Sequence, residues 1–317
     1  MDDQGNGYNY SPLNMSEDIR LVILDPLPAS ASFHEPISCK FIHARFANRP
    51  AYQALSYTWG KNTERKPIHV DSQVASVTKN LWSALWGLRA HDQRRGISAP
   101  RCLWIDALCI NQNDIKERNH QVRLMSQIYS QAEEVLAWLG SKESAASLAV
   151  EVLASLGGRL RCSNLEMRHW QALEQMTNLE YFSRMWIVQE VVLARRLTLY
   201  CDSQSVNWSQ LSLLFDYLES RNYPSDYLPT NYPYRQTIKR SQALSLDRSR
   251  KSFQTNTLSL LTLMRVCASC KCSDPRDKVF ALLGIAKDCQ NNELTADYSK
   301  NLFEVYQDVM QFWNPHE

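Results

Sequence analysis

The stretch "RCLWIDALCINQNDIKERNHQVRLMSQIYSQAEEVLAWLG", residues 101 to 140, decides the fold. It opens on a short apolar run that ends in polar residues, the pattern of a strand, and closes on a second apolar run, "EVLAWLG". Between them Ile115, Val122, Met125, Ile128, Tyr129 and Ala132 recur at helical spacing on one side of a long segment. Strands and helices alternate in this way from residue 51 to 140, which is the habit of a parallel sheet covered by helices. Ligands of such sheets collect beyond the carboxyl ends of the strands. At those ends the sequence puts Ser56, Tyr57, Trp59 and Gly60 after one strand, and Asp106, Asn111 and Gln112 after another.

Working outward, residues 1–18 are polar, rich in Gly and Asn, and predict a loose tail. Ordered structure is expected to begin near Ile19 with the β-rich runs "IRLVIL", "ISCKFIHARF" and "AYQALSY". "TKNLWSALWGLRA" puts Leu81, Leu85 and Leu88 on one helical stripe behind Thr78 as N-cap. Residues 19–220 thus read as one α/β domain, with a hairpin at "LTLYCDSQSVNW" near its end. Residues 221–254 are rich in Tyr and Pro, then basic and Ser-rich, and predict a loop or insertion. Residues 255–317 predict a helical extension packed on the domain.

Composition narrows the function. A formal net charge of +2 with both signs interspersed gives no electrostatic footprint for nucleic acid or anionic membrane. No apolar run approaches the length of a membrane span, and neither a span nor a signal peptide is expected. The nine cysteines are an odd, scattered set, which suggests a reducing, cytoplasmic setting. "CASCKC" at 267–272 contains a CxxC without a second ligand pair, so no metal is expected there. Cys109 as a nucleophile lacks a histidine partner. Glu117, Arg118 and Gln121 read as a solvated face with surface ion pairs.

One residue does not fit its surroundings. From Met185 to Ala194 eight of ten residues are apolar, yet Gln189 and Glu190 sit in the middle. A helix apolar on nearly every side is buried, and a buried, unpaired carboxylate costs several kcal/mol or takes up a proton. No Arg or Lys on the same helix can reach Glu190. It therefore needs a distant Arg, a water-lined cleft or a ligand.

Four blocks in order, "YQALSYTWG" (52–60), "LWIDALCINQNDIKERNHQVRLMSQIYSQAEEVLAWLG" (103–140), "FSRMWIVQEVVLA" (182–194) and "DPRDKVFALLGIA" (274–286), resemble the fungal heterokaryon-incompatibility (HET) domain family. The resemblance implies a role in allorecognition and programmed cell death when incompatible hyphae fuse. The HET pattern in turn is similar, distantly, to the TIR domain, known both as a signalling adaptor and as a hydrolase of NAD. This implies a TIR/flavodoxin-like, mainly parallel sheet flanked by helices, with extra strands at the N-terminal end and extra helices at the C-terminal end. In catalytic TIR domains a Trp followed four residues later by Glu lies on a helix beside the cleft, and Trp186 and Glu190 match that spacing.

On this resemblance Glu190 is the candidate catalytic residue, with Trp186, Ser56, Tyr57, Trp59, Gly60 and Asp106 as candidate substrate-binding residues. Each also has a plainer reading. Trp186 suits a core, Trp59-Gly60 a tight turn, and Asp106 a cap on the following turn. NAD would be a substrate, with no resident cofactor or metal. A homo-oligomer or a partner incompatibility protein is implied. Two other readings stay open: a non-catalytic, self-assembling signalling module, and an accessory protein of secondary metabolism on the same scaffold.

Overall fold

The computed structural model describes residues 7–14, 18–28, 35–60, 64–141, 146–156, 165–220, 231–290 and 294–314. The first strand, β1 (Asp18–Leu24), runs antiparallel to β2 (Ser38–Arg45). After β3 (Gln53–Ser56), the chain forms a hairpin of β4 (Arg65–Val70) and β5 (Gln73–Thr78). Asp71 and Ser72 turn it with φ of 48° and 67°, the left-handed pair that matches the natural twist of a hairpin. Thr78 then starts α1 (Lys79–Arg94), its hydroxyl accepting from the Leu81 amide as expected of an N-cap.

The deciding stretch folds as read. It gives β6 (Arg101–Trp104), a short α2 (Asp106–Cys109), α3 (Ile115–Gln131) and β7 (Glu134–Trp138). Asp114 caps α3 by accepting from the amides of Lys116 and Glu117. Next come α4 (Ala146–Ser155), α5 (Met167–Thr177) and α6 (Ile187–Val192), then the hairpin of β8 (Leu197–Cys201) and β9 (Gln204–Asn207). The remaining helices are α7 (Trp208–Ser220), α8 (Tyr232–Lys239), α9 (Gln242–Gln254), α10 (Leu260–Val266), α11 (Asp277–Leu283) and α12 (Leu302–Trp313).

The nine strands among the described residues join one sheet in the order β5-β4-β2-β1-β6-β3-β7-β8-β9. Its centre, β6-β3-β7-β8, is parallel throughout. Antiparallel pairs join this centre to its neighbours on both sides, β1 against β6 and β9 against β8. Numbered by their place in the chain, the four central strands stand in the order 2-1-3-4, the winding of flavodoxin-like sheets. Such strands are covered on both faces, and β7 and β8 are accordingly apolar and buried along nearly their whole length. The fold is thus α/β, with additional strands at the front and helices at the back.

Three expectations change. Residues 232–254 are helical, because Ala243, Leu244 and Leu246 bury one face of α9 while its polar residues find acids on α7. Asp247 accepts from the Trp208 indole at 2.8 Å, Arg248 pairs with Glu219, and Lys251 pairs with Asp216. The part of the predicted loop at 221–230 lies outside the described residues. In the expected tail, residues 7–14 lie against the sheet: Tyr10 donates to the Leu108 carbonyl, Tyr8 and Tyr10 pack on Phe41, and Leu13 is buried. Finally, Glu117 and Gln121 are buried rather than solvated. Glu117 pairs with the buried Arg20 of β1 at 2.9 Å and also accepts from the Asn111 amide, while the Gln121 amide donates to the Asp18 carbonyl.

Among the described residues no helix is long and apolar enough to cross a membrane. No group of three or more His, Cys, Asp or Glu side chains is placed to hold a metal ion, again among the described residues.

Candidate functional site around Glu190

The chain brings β3 and β6 side by side and winds away from them in opposite directions, so a crevice is expected beyond their carboxyl ends. Ser56 is the last residue of β3 and fully buried. Its hydroxyl shares a 2.6 Å hydrogen bond with that of Tyr181, which stands on a 3-10 turn (Glu180–Ser183) just ahead of α6. Tyr57 follows, ring buried, and its carbonyl accepts from the Arg184 guanidinium. The Thr58 carbonyl is held by the Asn80 amide of α1 at 2.5 Å, and Asn80 also accepts from the Trp138 indole.

Gly60 then turns the chain with φ of 75°, a conformation that L side chains rarely adopt. This leaves Trp59 at the surface, 37% exposed, its indole N–H donating to Asp106 Oδ2 at 2.7 Å. Asp106 opens α2 after β6, and its Oδ1 accepts from the neighbouring Ala107 amide at 2.7 Å. Burial pushes the Asp106 carboxyl above its ordinary range, against the pull of Arg184 and the Trp59 hydrogen bond.

Glu190 enters from α6, which packs between α3, α9 and α11. It is 2% exposed, and its Oε2 has no hydrogen-bond partner among the described residues. No ion pair among those residues includes it. Burial lifts its carboxyl from 4.5 to about 7; Arg184 and the Ser56 hydroxyl oppose that rise and Asp106 adds to it. The sequence-level alternatives, a distant Arg or a cleft, are both met only in part. Arg184, six residues back, acts through its field while its guanidinium is committed to the Tyr57 carbonyl.

Glu190, Ser56, Tyr57, Trp59 and Asp106 therefore gather in one place, Gly60 lies at its rim, and Trp186 looks elsewhere. The indole N–H of Trp186 donates to Asp277 Oδ2 of α11 at 3.1 Å, and Asp277 also accepts from the Tyr298 hydroxyl at 2.6 Å. Burial raises the Asp277 carboxyl too. Asp274 closes the turn before α11, accepting from the Arg276 amide and guanidinium. Gly284, after α11, lets that helix close on α3: a Cβ there would lie 2.5 Å from that of Ser126. Tyr181, Arg184 and Asn80 complete the setting. None of the three carries a periodicity or spacing signal in the sequence, and only the tertiary winding assembles them.

Residues 52–190 match the family model "Heterokaryon incompatibility protein (HET)" and cover every residue of this cluster. The HET-family match thus lies on the segment that holds the site. It is similar to the Neurospora crassa protein "Heterokaryon incompatibility protein 6, OR allele", with 27% identity over 95% of this chain and 53% of that protein. It thus spans about half the length of that curated relative. No solved structure matches the chain.

Proposed function

We propose that this protein acts in fungal heterokaryon incompatibility, in allorecognition and programmed cell death, by hydrolysing the nicotinamide-ribose bond of NAD with Glu190 as the catalytic carboxylate. The observation that carries this reading is a buried carboxylate oxygen without a partner at the carboxyl end of a parallel sheet, where Ser56, Tyr57 and Asp106 converge on it. Cleavage passes through an oxocarbenium-like state, which a nearby carboxylate stabilises. Nicotinamide leaves neutral and needs no general acid, so one ionised Glu suffices. Water then completes the reaction, giving ADP-ribose, nicotinamide and a proton.

Trp59, exposed and fixed through Asp106, offers a ring face to the nicotinamide or adenine. The Ser56 hydroxyl keeps Glu190 oriented. NAD reaches the carboxylate once the packing around it opens, a step we assign to self-assembly or to a partner incompatibility protein.

One observation favours a second reading, the non-catalytic signalling module. Glu190 and Ser56 are closed off from solvent, as members of a structural cluster would be. Incubation of the wild type and Glu190→Gln with NAD, at low and high protein concentration, separates the two. NAD hydrolysis by Glu190 predicts nicotinamide release by the wild type and a loss of at least about a hundredfold in the variant. Equal release from both places the chemistry elsewhere; no release at any concentration supports the signalling module.

A further inference from the structure

The segment "CASCKC" lies outside the Glu190 cluster yet is tied to it by backbone. Cys267 ends α10, and the Cys270 amide donates to the Cys267 carbonyl at 2.9 Å, closing a tight turn. Such a turn brings its first and fourth residues within the Cα separation a disulfide spans. Both side chains are buried, and neither cysteine is in a disulfide.

The two sulfurs stand in unequal surroundings. Cys270 Sγ also accepts from the Gln242 side-chain amide of α9 at 3.3 Å. The Lys278 ammonium of α11 sits beside it, donating to the Ala268 carbonyl at 2.8 Å and to that of Cys270. Donors and a cation favour the thiolate at Cys270, the Cys267 hydrogen bond most, against the effect of burial. Cys267, as the donor, is pushed the other way.

The residue after Cys270 leads to the Glu190 cluster. Lys271 forms a parallel bridge with Arg184, its amide donating to the Ser183 carbonyl at 2.5 Å and its carbonyl accepting from the Met185 amide at 2.8 Å. Any shift of Cys270 thus reaches the backbone that carries Arg184.

We propose that Cys267 and Cys270 are a hydroperoxide-sensing dithiol whose oxidation to a disulfide displaces the Lys271–Arg184 bridge. The Cys270 thiolate attacks the peroxide O–O bond, giving a sulfenic acid and, after protonation of the leaving hydroxide, water. The Cys267 sulfur then attacks the Cys270 sulfur; the S–S bond forms, and the sulfenic hydroxyl leaves with the Cys267 proton as a second water. Two thiols are oxidised and one peroxide is reduced. The sulfurs must close to about 2.05 Å, which withdraws Cys270 from Gln242 and moves the turn. This inference stands whether or not Glu190 cleaves NAD.

The test uses the native wild-type protein treated with hydrogen peroxide, alkylated, digested and mapped by mass. The expected product is one peptide spanning 267–272 that has lost two hydrogens (about 2 Da) through a Cys267–Cys270 bond, in the wild type and in Cys272→Ser. Amide exchange in peptides covering 183–190 should speed by up to about tenfold on oxidation, the equivalent of one backbone hydrogen bond. Free thiols after treatment, bonds through Cys272 instead, or a disulfide with unchanged exchange at 183–190 would each overturn the proposal.

Discussion

Glu190 holds a carboxylate where water cannot reach it, and the consequence is a pH dependence with a definite sign. Its folded value of about 7 lies above the ordinary 4.5, so the folded state keeps a proton that the unfolded chain has lost. The stability this contributes is complete below about 4.5 and gone once pH has risen through about 7, a loss on the order of 3 kcal/mol. Glu190→Gln keeps the shape and cannot ionise. In thermal melts it should match the wild type near pH 4.5 and melt several degrees higher at pH 8; the same offset at both pH values would contradict the assigned ionisation. The anomaly itself was legible in the sequence, because no cation on its helix could reach position 190. The groups that tune it were not. Arg184 and Tyr181 precede α6 in a different turn, where no helical spacing relates them to Glu190.

At the level of elements, polar residues on α3 were read as solvated because a helical wheel shows which face is polar without showing what lies against it, and α9 was read as part of a loop because its basic, Ser-rich composition hides its buried face. Glu117 faces β1, whose Arg20 donates to it and to the Cys109 carbonyl at 2.6 Å. Asp247 faces the Trp208 indole. These pairs join segments far apart in the chain, so local pattern carries no trace of them. Arg20→Met leaves Glu117 buried without its cation and should cost about 3–5 kcal/mol in urea unfolding, whereas Arg20→Met with Glu117→Leu should recover most of it. A double variant as unstable as the single one would mean that the pair does more than neutralise itself. By contrast, Thr78 and α1, the α3 stripe from Met125 onward and the β8–β9 hairpin followed directly from capping, period and turn residues, whereas Ile115 at the start of that stripe is exposed.

The whole molecule is a parallel centre wrapped by its own additions. Alternation of strands and helices announced the parallel sheet, but strand order was beyond it, since the β4–β5 hairpin and α1 intervene between β3 and β6. That order matters most for function, because it sets Ser56 and Asp106 at the carboxyl ends of neighbouring strands and leaves room for α6 to bring Glu190 beside them. The additions then close the cluster: α9 and α11 pack on α6, and Asp277 holds Trp186 toward the C-terminal segment. If Glu190 is the catalytic carboxylate, only its ionised form can stabilise the oxocarbenium state, and protonation silences it. The most direct measurement is the pH profile of nicotinamide release from NAD by the wild-type protein. The rate should rise through about pH 7 to a plateau, with no such rise in Glu190→Gln. A rate independent of pH from 5 to 9, or the same profile in the variant, would contradict the role given to Glu190.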